Sequence, residues 1–257
     1  MKKSTIAFAA LALAWLVSAA SVASAQWGDL KIVFKADKAV APKFASDVAN
    51  ANCGVQKVAL EEVVVDPKSL GIANVVVFLD DKGDKPKIHP NYNALKAMKV
   101  TLDNNKCRFE PHIASLWTEQ TLTVKNSDPV GHNSKVDAFD NKSINPVIPP
   151  GGSVDANFTN PESLPMTVSC NIHRWMKGYI VVKDHPYVGV SDTQGTLIIK
   201  DLPAGEVDFR AWHETGYVSD AKIGGKDAKW KKGRFSVKIP NGGMETIEVE
   251  VPTASLK

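Results

Sequence analysis

The sequence predicts an all-β chain of two sandwiches in series, and three observations predict it. Short runs of β-branched and apolar residues recur between turn signals from residue 27 onward. The helix candidates, 43–50 and 93–98, are both short, and no heptad or internal repeat interrupts the pattern. After Pro186 the runs alternate polar and apolar residues more strictly, which marks a second unit. The expected architecture is a larger antiparallel Greek-key sandwich over 26–185, followed by a smaller β-sandwich over 186–257.

The elements follow in order. Residues 1–25 hold Lys2 and Lys3, an apolar run from about Ile6 to Val17, and the small-residue triplet Ala23-Ser24-Ala25. This is the layout of a secretory signal peptide, with cleavage expected after Ala25. The apolar run falls short of the roughly 20 residues that a spanning helix needs, so no membrane span is expected. Strand-like runs then lie at 30–34, 62–65, 75–79, 121–124, 166–170 and 179–182, with Asp66-Pro67 and Asp81-Lys82-Gly83 as breakers. In the second unit, runs at 196–199, 206–212, 234–239 and 246–251 surround Leu202-Pro203-Ala204-Gly205 and the turn Asn241-Gly242-Gly243. Residues 27–100 are expected to add strands to the first sandwich.

Composition narrows the function classes. The 257 residues are 44% hydrophobic and 23% charged, an ordinary globular balance with a formal net charge of +3. Removal of 1–25 takes two lysines and no acid, leaving 29 basic against 28 acidic residues and a charge of +1. That excludes the strong basic face that nucleic-acid binding uses. The three cysteines are the more telling count, because an exported chain with an odd number leaves one thiol unpaired.

The densest chemistry is Ser169-Cys170-Asn171-Ile172-His173-Arg174-Trp175-Met176. A thiolate, an imidazole and a thioether fall within seven residues between two strand-like runs, so one loop pinned at both ends can bring three ligands to one ion. A Cys, two His and a weak axial Met are the set of a blue copper site. The second imidazole must come from elsewhere, and His132, in Asn126-Ser127-Asp128-Pro129-Val130-Gly131-His132-Asn133 after the 121–124 run, is the best placed.

On these residues the chain resembles the cupredoxins of the plastocyanin-like group, over about residues 100–184. That family has an N-x-D segment, a His-Asn pair after a strand and a Cys…His…Met loop. The resemblance implies a single copper ion held by His132, Cys170, His173 and Met176. It also implies that Asn133 supports the sulfur through its backbone and ties the two loops through its side chain. The spacing departs from the family, whose loops put four residues between His and Met where this chain has two. A dinuclear centre would need a second Cys at position 169, which is Ser169. The short spacing leaves two arrangements open: closer binding by Met176, or a site shaped by Trp175 that holds Met176 away. The second unit resembles the carboxypeptidase regulatory-like domains (Ig/transthyretin-like sandwiches) through Asp192-Thr193-Gln194-Gly195 and Leu202 to Gly205. In that family the domain is structural.

The remaining histidines are expected to be structural. His112, in Phe109-Glu110-Pro111-His112-Ile113, resembles a cupredoxin strand that passes the metal, so contact with the site is its alternative. His185 and His213 lie at the junction and in the second unit, where pairing or a second metal is the alternative, and His89 is a loop residue. Lys135, Asp137, Asp140, Arg174 and Lys177 are expected near the copper end as solvated charges. With Cys170 given to the metal, Cys53 and Cys107 are expected to form a disulfide.

The functional expectation is an exported electron carrier, periplasmic or extracellular, that meets redox proteins transiently, with His173 as the exit edge. The chain shows no substrate-pocket motif and no His-x-His pairs, so it is expected not to be an enzyme. Copper delivery and a purely structural sandwich are the alternatives.

Overall fold

The computed structural model describes residues 26–256 except 47, 56, 82 and 84. The expected signal segment 1–25 lies outside the described residues. The chain is nearly all β, in two stacked sandwiches.

In the first sandwich, one sheet runs Ser153–Ala156, Thr121–Asn126, Lys99–Asn105, Arg108–Glu110. The other runs Ile113–Trp117, Lys177–Lys183, Met166–Ser169, Lys135–Asp137. Alternation drives the packing: Leu122 and Val124 point inward from one sheet and Met166 and Val168 from the other, all fully buried. A two-residue ladder, His132–Asn133 against Val147–Ile148, closes the end where the site lies. Most pairings are antiparallel, as expected. Lys99–Asn105 with Thr121–Asn126, and Lys177–Lys183 with Ile113–Trp117, run parallel.

In the second sandwich, the Trp27–Ala36 strand lies between Thr196–Pro203, antiparallel, and Met244–Val251, parallel. The facing sheet joins Val188–Val190, Val76–Leu79 and Gly205–His213, with Arg234–Ile239 on the last of these. Here the structure corrects in part the expectation that residues 27–100 extend the first sandwich: Val48, Cys53 and Val58 join its core, but the Trp27–Ala36 and Val76–Leu79 strands belong to the second. Leu30, Ile32, Phe34 and Ala36 alternate inward, but into the core of the second sandwich, with Phe209, Phe235 and Val249. Periodicity shows that a strand is half-buried; it does not say which core takes it. The Asp192–Gly195 turn explains part of the docking. Asp192 accepts from the Gln194 and Thr196 amides, and Gly195, at φ +77°, donates to the Asp192 carbonyl. A Cβ on Gly195 would lie 2.1 Å from the Phe34 carbonyl oxygen, so glycine lets this turn close on the N-terminal strand.

Three further expectations change. The 62–65 run forms a single bridge, Val65 to Ile72, and not a strand. The 43–50 helix shortens to a 3-10 turn at Val48–Ala51, and the 93–98 helix becomes the 3-10 segment Pro90–Ala97. Asn91 donates its amide to the His89 imidazole, and proline occupies the first turn, which favours a short tight segment over a longer helix.

The sandwiches meet through Val76, Phe78, Ile113, Tyr179, Val181 and Trp212. The Val76–Leu79 strand is buried on both faces, which explains its unbroken apolar sequence. Cys53 and Cys107 are disulfide-bonded with Cα atoms 5.7 Å apart, inside the ordinary range. No helix among the described residues is long and apolar enough to cross a membrane.

Candidate metal centre

Two loops build the site. Met166–Ser169 and Lys177–Lys183 pair antiparallel with Ser169 opposite Lys177, so the ends of the 170–176 loop are held side by side. The loop closes on itself: the Cys170 amide donates to the Met176 carbonyl at 3.2 Å, and the Met176 amide to the His173 carbonyl at 2.8 Å. The second loop hangs from Asn126, whose buried amide donates to the Val130 and Ile148 carbonyls at 2.8 Å each. Those bonds bend 127–131 so that His132 enters its short ladder facing Cys170.

Three ligand atoms converge there. The Cys170 Sγ lies 3.8 Å from Nδ1 of His132 and 3.8 Å from Nδ1 of His173, and the two Nδ1 atoms are 2.9 Å apart. All three residues are buried. One ion with metal–N and metal–S bonds of about 2.0–2.3 Å reaches all three donors at such separations, so the residues fit a small soft metal ion. Met176, also buried, packs in the same cluster as Cys170.

The surroundings orient the donors. Asp128 takes a 2.9 Å hydrogen bond at Nε2 of His132, which turns Nδ1 toward the thiol. Asp128 is itself fixed by the Lys106 and Cys107 amides, at 2.5 and 2.8 Å, from a turn where both residues have positive φ. The Asn133 side chain accepts the Asn171 amide at 2.8 Å, tying the two loops together. Trp175 packs its ring 5.4 Å from that of His173 and donates to the Cys107 carbonyl at 3.2 Å.

Electrostatics favour the thiolate. Burial alone pushes the Cys170 thiol up, but the His132 hydrogen bond and the backbone amides around it hold it below its ordinary value. Burial works to lower His132, yet its bonds to Cys170 and Asp128 prevail and raise it. His173 is lowered by burial and by the neighbouring His132. Ligation through both Nδ1 atoms needs the thiolate and two neutral imidazoles, so the shifts at Cys170 and His173 favour it and the shift at His132 opposes it.

The other expected residues are not among the three convergent donors. His112 is outside the convergent group; its Nε2 sits 2.5 Å from Glu214 of the second sandwich, and a cavity of about 220 Å³ lined by both also touches Met176. His185 is engaged at both nitrogens, with the Leu79 carbonyl and the Tyr187 amide, although Asp81 and Asp184 lie within 4.8 Å. His213 bonds Thr215, and burial lowers it to about 4. Lys135 pairs with Asp137, Lys177 faces Glu214, and the Asp140 amide donates to Glu162. Sequence reasoning noted the N-x-D segment but gave Asp128 no role, and it passed over Glu61 and Glu214. Asp128 had a local signal four residues before His132, whereas the two glutamates had none.

No protein-family model matches the chain, and no curated protein matches it. Among solved structures it is similar to a copper-containing nitrite reductase from Thermus scotoductus SA-01, at 24% identity and a TM-score of 0.32, over 41% of this chain and 27% of that one. The likeness thus spans about a quarter of the reductase. It is also similar to a purple cupredoxin from Nitrosopumilus maritimus, at 21% identity and a TM-score of 0.28, over 33% of this chain and 98% of that one. A Cu(I) form of an amicyanin variant is similar at 17% identity and a TM-score of 0.30, over 42% of this chain and 98% of that one.

Proposed function

We propose that this chain is an exported mononuclear copper protein that carries single electrons between redox partners and is not itself an enzyme. The observation that carries the reading is the buried convergence of Cys170 Sγ with Nδ1 of His132 and His173 at 2.9–3.8 Å. Bound copper would supply a one-electron redox couple. The chain's own residues supply constraint. Asp128 holds the His132 tautomer, Asn133 locks the Cys170 loop to the His132 loop, and the 170–176 turn sets where Met176 stands. Donors fixed by such bonds change little between oxidation states, which favours fast transfer. His173, beside Trp175 and the exposed Ile172, is the edge nearest solvent, and a transient partner interface there would be below about 1,200 Å². The second sandwich serves as support, in keeping with its regulatory-like resemblance.

Titration of the chain from residue 26 with Cu(II) tests the reading. The expected result is one equivalent bound with an intense visible band, lost in Cys170→Ser, and a reversible one-electron potential. Met176→Gln should keep the metal and shift the potential. A colourless protein that takes Cu(I) reversibly would point instead to delivery, and no uptake would leave a structural sandwich.

A further inference from the structure

We propose that Glu214, carried by the second sandwich, is a positioning residue for the metal loop of the first; the inference rests on the copper reading of that loop. Glu214 follows the Gly205–His213 strand, and its side chain is 3% exposed. One carboxylate oxygen lies 2.5 Å from His112 Nε2 and the other 3.6 Å from Lys177 Nζ. Lys177 directly follows Met176 and opens the Lys177–Lys183 strand; His112 directly precedes the Ile113–Trp117 strand. These two strands pair in parallel, and the Tyr179 amide donates to the His112 carbonyl at 2.8 Å. A single carboxylate therefore clamps the starts of two neighbouring strands at the end that bears the ligand loop.

The geometry makes the clamp specific. His112 is 4% exposed, and Glu61 stands 3.7 Å from its other ring nitrogen, which makes no hydrogen bond, so the imidazole is bonded to one acid and faces a second from a different part of the chain. A buried carboxylate is costly unless paired, and here its partners are the residue beside Met176 and the residue beside its neighbouring strand. A cavity of about 220 Å³, lined by Leu60, Glu61, His112, Trp175, Met176 and Glu214 among others, lies on this side of the loop. Burial pushes the Glu214 carboxyl up, but the His112 hydrogen bond and the charges around it hold it below its usual range, consistent with a paired anion.

The test uses the chain from residue 26 as wild type, Glu214→Gln, Lys177→Ala and the double variant. Hydrogen exchange in the metal-free protein reads the Cys170 and Met176 amides, with the Leu122 and Val124 amides in the sheet as internal reference. Each single variant is expected to speed exchange of the two loop amides at least about tenfold relative to the reference, and the double variant less than the product of the two. Copper-loaded samples should show a displaced visible band and potential in the same variants. Loop amides that exchange as in wild type would overturn the proposal, as would equal acceleration of loop and reference amides, which marks Glu214 as a prop of the fold alone. If Glu214→Gln does not fold, Lys177→Ala carries the test, because Lys177 is 48% exposed. Failure of the wild type to bind copper would sink the copper reading, while the metal-free exchange would still decide the clamp.

Discussion

Asp128 fixes the His132 ring, and on the proposed copper reading it would set how that imidazole meets the metal without being a ligand itself. Its carboxylate joins the His132 ring to the amides of Lys106 and Cys107, so a turn far off in sequence aims the imidazole. Partners of this kind typically contribute about 10–100-fold in metal affinity. Asp128→Asn, which keeps the shape and removes the charge, should weaken copper binding by that range while the chain stays folded. Competition against a chelator of known affinity measures it, and an unchanged constant would sink the role. The residues legible in the sequence were those whose signal is local. Cys170, His173 and Met176 fall in one loop, and His132 was visible through the His-Asn pair at a strand end. The pairing of His112 was not legible, because its partner, Glu214, is 102 residues away and leaves no trace in spacing.

At the scale of elements, the strand that leaves the 170–176 loop is set by how closely its neighbours approach. A Cβ on Gly178 would lie 2.8 Å from the His112 carbonyl oxygen and 3.2 Å from side-chain atoms of Phe109 and Val168. Gly178→Ala should therefore force the Lys177–Lys183 and Ile113–Trp117 strands apart and destabilise the chain by about 1–3 kcal/mol. Denaturant unfolding measures the loss, and a midpoint equal to wild type would show that the strands yield freely. Nine of the twenty strands among the described residues could be read from alternation and turn residues, and their partners could not. Leu30, Ile32 and Phe34 announce a half-buried strand, but the slot they fill lies between Thr196–Pro203 and Met244–Val251, far along the chain. The 62–65 run shows the converse, since its apolar character serves a single bridge beneath the second core.

For the whole molecule, the link between the cysteine bridge and the site matters most. Cys107 donates its amide to Asp128 and accepts from the Trp175 indole, so one half-cystine touches supports of both loops. Its bond to Cys53 closes a span of 54 residues, worth about 4 kcal/mol in the chain-entropy account. The Cys53→Ser, Cys107→Ser double variant should lose stability of that order in a denaturant titration; a loss near zero would mean that the reduced chain is already constrained. The bridge has a second effect, on selectivity during assembly. A newly made chain offers three thiols to a thiophilic ion, and two of them, Cys53 and Cys107, stand close enough to bond each other. Unbridged, that pair would be a rival copper trap beside Asp128 and His132. With the pair bridged, Cys170 is the one free thiol, so on the copper reading the crosslink would leave a thiophilic ion a single thiol to take.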